Sequence, residues 1–396
     1  RDGPLGTAYW TLTEDAPVFF GRACSRLVGP RCSGILASCF SCLFETAHPT
    51  MQILFSILLT TALIIFFTHG WPLLPNAYVP SYHLYFIPPA IALLIGSFLA
   101  TSFTDPGIIT AHNVNQALRT YEYDYVLFFP KDCSTCVLPK PARSKHCSLC
   151  GHCISRLDHH CVWVNNCIGQ RNHRYFLLFI SSLVLVCAYG AYLTYGIFQH
   201  LIDDRALLGL WVLDGETRVQ RRITYYEAFV HLLHTNALLG GLGLFAAIVS
   251  VVVGCFTLYQ FYAVCSGPTA NEACKWDDIR EAMDEGRLYR VDRSEPGWED
   301  RAGPQMRPSG DQADTEGDEE GLRQRHSSGQ GEEKQGGEEK RMEKKGKEEG
   351  KEEEEVVDGG VRVQIREMSS LPRIYELGPW RNLLAVLFPP PLSTTR

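Results

Sequence analysis

Four stretches of this 396-residue chain are apolar for long enough to cross a bilayer: 51–68, 85–103, 175–198 and 238–264. About 20 helical residues span the hydrocarbon layer, and lipid offers no partner for a free backbone amide, so such segments must be helices. Pro88 and Pro89 interrupt the second segment, which a packed membrane helix tolerates. Gly190, Gly196, Gly243 and Gly254 permit close helix contacts. None of the four segments contains Asp, Glu, Lys, Arg or His, which argues against an ion pathway through them.

The charges divide unevenly. The loop 70–83 has no Lys or Arg, whereas 105–174 carries Arg119, Lys131, Lys140, Arg143, Lys145, Arg156, Arg171 and Arg174. By the positive-inside rule, 104–174 faces the cytosol, the loop 199–237 is lumenal, and both ends are cytosolic. The formal net charge of −7 owes much to the tail 293–358, rich in Glu, Lys, Asp and Gly. That composition buries too little apolar surface to offset chain entropy and predicts disorder. Apolar and aromatic residues return at Ile374–Phe388, which predicts a short amphipathic helix in a docking segment, 359–396. An N-terminal segment, 1–50, precedes the first helix, and a segment 265–292 follows the fourth. No signal peptide is expected, and a segment upstream of Arg1 is compatible with the sequence.

Seven of the 15 cysteines lie between Cys133 and Cys167, interleaved with histidines. CxxC steps mixed with His and flanked by membrane segments point to metal and thiol chemistry, not disulfides. The soft ligands are Cys133, Cys136, His146, Cys147, Cys150, Cys153, His159, His160, Cys161 and Cys167. Two tetrahedral zinc ions need eight, which leaves two over. Cys133 with Cys136 and Cys147 with Cys150 are natural half-sites; the remaining ligands come from His146, Cys153, His160 and Cys167. Spacing permits this partition without requiring it. His159 and Cys161 are then spare, and an unbound Cys beside a His is a candidate nucleophile and base. Asp158 can orient His159 through one ring nitrogen. Adjacent residues are not expected to converge on a regular helix or strand, so a bent loop is predicted here. The fold class is therefore an all-α integral membrane protein, with a small two-zinc cysteine-rich domain between helices 2 and 3.

The pattern C-x2-C-x9-HC-x2-C-x2-C-x4-DHHC-x5-C-x4-N-x3-F, from Cys133 to Phe176, resembles the cysteine-rich domain of DHHC-type protein S-acyltransferases. Asp105-Pro106-Gly107 after the second helix, Thr269-Ala270-Asn271-Glu272 after the fourth, and Gly378 with Asn382 resemble further family motifs. Val162, DPGII and RSKHC are most similar to member four of the mammalian family. The resemblance implies one structural zinc on Cys133, Cys136, His146 and Cys153, and another on Cys147, Cys150, His160 and Cys167. It implies Cys161 as nucleophile, served by His159 and Asp158, with acyl-CoA (palmitoyl-CoA) as co-substrate.

By the same resemblance Trp163, Phe176 and Phe179 are candidates to line an acyl cavity; Lys140, Arg143 and Lys145 are placed in the sequence to meet CoA phosphates, and Asn382 is a further candidate substrate-binding residue. Ala270 departs from the TTxE pattern, so a hydroxyl contact from that position is lost. Cys39 and Cys42 are candidate juxtamembrane acylation sites. Cys187, Cys255 and Cys265 read as packing residues. Expected partners are the lipid bilayer, acyl-CoA and protein substrates with juxtamembrane cysteines; a tethered, acidic chain gives no reason to expect nucleic acid. Residence in the endoplasmic reticulum or Golgi, with the plasma membrane as a further possibility, follows from the resemblance alone. The competing reading is a membrane-anchored zinc module that recruits proteins without catalysis.

Overall fold

The computed structural model describes residues 48–213, 219–291, 354–357, 360–365 and 367–392. The expected N-terminal segment, with Cys39 and Cys42, and most of the charged tail lie outside these. The chain divides into two compact units, one of 1–272 with 373–396 and the other of 273–372.

Among the described residues, four helices are long and apolar enough to cross a membrane: Thr50–Leu73, His83–Phe103, His173–Asp204 and Ala237–Ser266. In the first, an α-helix (α1, Thr50–Ile65) continues as a π turn and a 3-10 turn that ends before Leu74-Pro75. The second, α2 (His83–Phe103), runs through Pro88 and Pro89. A short α3 (Val114–Leu118) follows. The third long helix, α4 (His173–Asp204), has 32 residues, about 48 Å at 1.5 Å per residue, so it outruns the hydrocarbon layer. Between it and the fourth long helix, α6 (Ala237–Ser266), lies α5 (Tyr225–Thr235), which opens with a capping box of Thr224 and Glu227.

Helix α4 is the hub, packing along α6 and against α2. Close approach is built in at Gly243 of α6, where a Cβ would sit 2.5 Å from the Thr194 methyl of α4. Small residues let membrane helices touch at the backbone, where dispersion replaces the missing hydrophobic drive.

Between α2 and α4 the chain forms three two-stranded antiparallel hairpins: β1 (Asp132–Cys133) with β2 (Leu138–Pro139), β3 (Lys145–Cys147) with β4 (His152–Ile154), and β5 (His159–Cys161) with β6 (Asn166–Ile168). The loop after α4 adds a hairpin that helical reading did not anticipate, β7 (Trp211–Leu213) with β8 (Gln220–Arg222). The expected amphipathic helix is shorter than predicted, α8 at Pro379–Leu387, because Gly378 turns the chain at φ 89° and Pro379 starts the first turn.

The second unit holds most of the helix α7 (Ala270–Asp284) and a three-stranded sheet of β9 (Tyr289–Val291), β10 (Glu354–Val357) and β11 (Gly360–Gln364), in order β10-β11-β9. Strand β10 falls within the stretch expected to be disordered, so that reading is corrected for Glu354–Val357: its two valines join a sheet.

Candidate active site

Alternation along two hairpins sorts the ligands. Successive side chains of a strand point to opposite faces. On β3, His146 therefore leaves on one face, opposite Cys153, while the adjacent Cys147 leaves on the other. His146 and Cys153 meet Cys133 and Cys136; Cys147 meets Cys150, His160 and Cys167. In each group all four ligand atoms lie within 4.8 Å of one another.

The spacings fit a tetrahedral ion. Zn–S of about 2.3 Å and Zn–N of about 2.05 Å place tetrahedral ligands about 3.6 to 3.8 Å apart. His146 Nδ1 lies 3.6, 3.3 and 3.9 Å from the sulfurs of Cys133, Cys136 and Cys153. His160 Nδ1 lies 3.8, 3.4 and 3.6 Å from those of Cys147, Cys150 and Cys167. Cys/His sets of this kind suit closed structural zinc sites. The eight residues are those the resemblance implied.

The same alternation delivers the two residues left over. On β5, His160 faces its zinc ligands while His159 and Cys161 share the other face. The bent loop expected from adjacency is not needed: only Asp158 stands off the strand, as the residue just before it. His159 Nδ1 donates to Asp158 Oδ2 at 2.7 Å, and His159 and Cys161 lie two residues apart on the same face of β5.

Burial works against a charged carboxyl at Asp158, but the hydrogen bonds from His159 and the backbone of Ala270 overcome it and hold the group near 2. Burial also works against a charged imidazole at His159. The Asp158 carboxylate and the Cys161 sulfur outweigh it and push His159 up to about 9.

The Thr269–Glu272 segment locks this arrangement. Thr269 and Glu272 form a reciprocal capping pair at the start of α7: Glu272 N–H donates to Thr269 Oγ1 at 3.2 Å, and Thr269 N–H to Glu272 Oε2 at 2.9 Å. The next amide, Ala270 N–H, donates to Asp158 Oδ1 at 2.8 Å. The contact from position 270 is thus a backbone one, which a missing hydroxyl does not remove.

Arg143, expected to meet CoA phosphates, is instead buried. It grips Glu272 with two bonds, Nε to Oε1 at 2.6 Å and Nη2 to Oε2 at 2.5 Å, and donates to Gly267 O at 3.0 Å. Its guanidinium lies over the Tyr375 ring at 4.7 Å. Of the other two expected cations, Lys145 is exposed and Lys140 half-buried.

Cys161 is 9 % exposed and belongs to one apolar cluster with Leu94 and Phe98 of α2, Phe176, Phe179 and Ile180 of α4, Val264 of α6 and Val386 of α8. Phe55, Phe98 and Phe179 form a closed aromatic group with centroids 4.8 to 5.5 Å apart. Phe176 and Phe179 therefore belong to the same buried cluster as Cys161. Trp163, at the β5–β6 turn, is 44 % exposed and stands outside the cluster. Asn382 is buried, donating to Cys265 O at 2.9 Å and accepting from Leu377 N–H at 3.1 Å, which pins α8 to the end of α6.

Sequence reasoning gave no role to the polar residues that seat this domain, Asn172 being present only as a motif position. Asn172 Nδ2 donates to Cys167 O at 2.8 Å and its Oδ1 accepts from Gly169 N–H at 2.9 Å. A Cβ on Gly169 would meet Pro106 O at 2.6 Å, so the chain after Asp105 packs against the residue that follows β6 with no room for a side chain. Asn166, on β6, reaches the end of α2. The signal available was its place next to the zinc ligand Cys167, in the short run between Cys161 and Cys167.

A family model described as DHHC palmitoyltransferase matches residues 128–277. A relative named palmitoyltransferase swf1 from Aspergillus fumigatus is 34% identical over 287 residues, 70% of this chain and 73% of the relative. The chain belongs to the DHHC palmitoyltransferase family. Palmitoyltransferase SWF1 of Neurospora crassa is 34% identical over 258 residues, 63% of this chain, and the match spans 58% of that relative's length. Palmitoyltransferase ZDHHC4 of mouse is 33% identical over 264 residues, 65% of this chain and 75% of the relative. Among the described residues, this chain has four helices long and apolar enough to cross a membrane and two Cys/His clusters able to hold a zinc ion.

Proposed function

We propose that this chain transfers a long-chain fatty acyl group from acyl-CoA to cysteine thiols of membrane-associated proteins, through a thioester on Cys161. The observation that carries this reading is the division of β5: His160 joins a zinc cluster, while His159 and Cys161 face away from it, against the apolar cluster of the membrane helices. Zinc, when bound, crosslinks the hairpins and thereby holds the strand in register.

Asp158 favours the protonated form of His159, so the ring can take the proton of Cys161 and hold it. Cys161 Sγ attacks the thioester carbonyl of acyl-CoA; the new C–S bond forms, the C–S bond to CoA breaks, and the departing CoA sulfur takes the proton from His159. In the second half, His159 accepts the proton of a substrate cysteine, whose sulfur attacks the acyl-Cys161 carbonyl. Cys161 leaves as its thiolate beside the recharged imidazolium. One thioester replaces another, so no ATP is needed.

The acyl chain would lie among Leu94, Phe98, Phe176 and Phe179, whose burial next to Cys161 supports that assignment. Lys145, exposed, and Lys140 are the cations we assign to CoA phosphates. The basic 105–174 stretch, against a 70–83 loop without Lys or Arg, supports a cytosolic active site. Substrates would be proteins presenting cysteines next to the membrane, in the endoplasmic reticulum or Golgi as in the family this chain resembles.

The test is metabolic labelling with an alkyne fatty acid, comparing wild type, Cys161→Ser and Cys187→Ser, with palmitoyl-CoA consumption by each purified protein. Hydroxylamine-labile label and consumption in all but the Cys161 variant are expected. Equal labelling of all three without consumption would leave the recruitment module as the reading.

A further inference from the structure

The strand partner of Cys161 carries a side chain that the reaction above does not use. Asn166 stands opposite Cys161 in the β5–β6 ladder. Its Nδ2 donates to Thr104 O at 2.9 Å, Thr101 O at 3.1 Å and Ser102 O at 3.2 Å. These carbonyls lie in the last turn of α2 and just beyond it. The last carbonyls of a helix have no partner within it, and in a membrane protein each one left bare is costly. Asn172 adds a longer contact to the same end, Nδ2 to Thr101 O at 3.4 Å.

The helix so capped is not incidental to the site. Through Leu94 and Phe98, α2 supplies one wall of the apolar cluster that contains Cys161. One amide therefore ties the strand beside the nucleophile to the helix that lines the acyl pocket. Zinc cannot make this link. His160 and Cys167 hold β5 to β6, but their ligand partners Cys147 and Cys150 belong to the cysteine-rich domain and none lies on a membrane helix.

We propose that Asn166 is a positioning residue: it fixes the depth of Cys161 against α2, so that the sulfur meets the thioester of a chain lying along Leu94 and Phe98. This rests on Cys161 being the nucleophile. Two N–H groups shared among three carbonyls leave little freedom of orientation, and a side chain that cannot donate makes none of these bonds. Near-attack geometry is sensitive on the scale of about 1 Å, where misplacement costs about 100-fold.

The experiment separates position from reactivity. Wild type, Asn166→Ala and Asn166→Asp are purified in detergent with their zinc. Asp is almost the same shape but offers the three carbonyls only acceptors. Each protein is assayed for zinc content, for alkylation of the Cys161 peptide by iodoacetamide, and for acylation of Cys161 by palmitoyl-CoA, both read by mass spectrometry. Iodoacetamide is small and soluble and needs no register with α2. The expected result is full zinc, alkylation at the wild-type rate and acylation slower by about 10- to 100-fold in both variants. Acylation at the wild-type rate would overturn the proposal. So would a parallel fall of alkylation and acylation, or loss of zinc, since Asn166 would then serve folding or thiol reactivity. If wild-type Cys161 itself takes no acyl group while Cys187 does, the failure belongs to the nucleophile assignment and not to Asn166.

Discussion

Asp158 is held from both sides: its Oδ1 accepts the backbone N–H of Ala270 at 2.8 Å while its Oδ2 accepts His159 Nδ1–H at 2.7 Å. The first amide of α7 thus orients the carboxylate that orients the imidazole. Because that N–H belongs to the backbone, the substitution that tests it is proline. Ala270 is the first helical residue after the Thr269 cap, a position where proline fits a helix well. Ala270→Pro removes the N–H and should leave α7 standing. Hydrogen bonds to charged groups contribute about 1.5 to 3 kcal/mol, so Cys161 self-acylation should fall by about 10-fold or more. Ala270→Thr keeps the amide and should stay near wild type. Equal activity of the Pro and Thr variants would show that this bond is idle.

The Asp158–His159 pair also predicts a pH profile. Asp158 is lowered, so its contribution is complete above its ordinary value of about 4 and is lost as pH falls through about 2. His159 is raised, so its contribution is complete below about 6.5 and is lost as pH rises through about 9. Self-acylation should therefore hold across neutral pH and decline on an alkaline limb near 9. Asp158→Asn removes the charge that raises His159, and the limb should move toward 6.5. Initial rates of palmitoyl-CoA consumption between pH 5 and 10 would show it; an unmoved limb in the Asn variant would assign the proton to another group.

Arg143 and Glu272 predict a loss of stability more than of substrate affinity. Both are buried, with side chains 5% and 2% exposed. Breaking a buried pair costs about 3 to 5 kcal/mol, and lysine cannot reproduce the two-pronged grip. Arg143→Lys should lower the thermal midpoint and the activity together while leaving the KM for palmitoyl-CoA close to wild type. Lys145→Ala should do the reverse, raising KM most at low salt with the midpoint unchanged.

These outcomes mark what could be read from residue order. The four membrane helices were legible because lipid imposes length and apolarity on a continuous stretch. The ten soft ligands were legible because metal chemistry restricts residue type. The two-residue alternation of β3 and β5 was less so: adjacency suggested a bend where a strand suffices, since His159 and Cys161 share a face by skipping His160. Arg143 was misplaced on the CoA surface because its partner Glu272 lies 129 residues away, and no local pattern announces such a pairing. Asn166 was missed for the same reason, its acceptors lying 62 to 65 residues back at the end of α2.

Metal removal should act on the two clusters unequally in the second half of the chain's contacts. The segment after α8 crosses the cysteine-rich domain: Gln170 Nε2 donates to Pro390 O and Gln116 Nε2 to Pro391 O, each at 2.9 Å. Leu392 is then buried at 7% exposure in a cluster with Ile109, Val114, Cys133 and Cys153. Both of those cysteines are ligands of the first zinc cluster, and neither belongs to the second. A charge at 392 would have no buried partner there, so Leu392→Asp should eject the segment and admit water to Cys133 and Cys153. An apolar shell controls solvent access to a metal site, and losses around it cost about 10- to 100-fold in affinity. Competition with a chromophoric chelator should then show one zinc per chain leaving faster in Leu392→Asp and the other at the wild-type rate. Cys161 acylation should fall in step with that first ion, because β3 supplies ligands to both clusters and couples the first to β5. Release of both ions at wild-type rates would mean that the segment covers the cluster without protecting it.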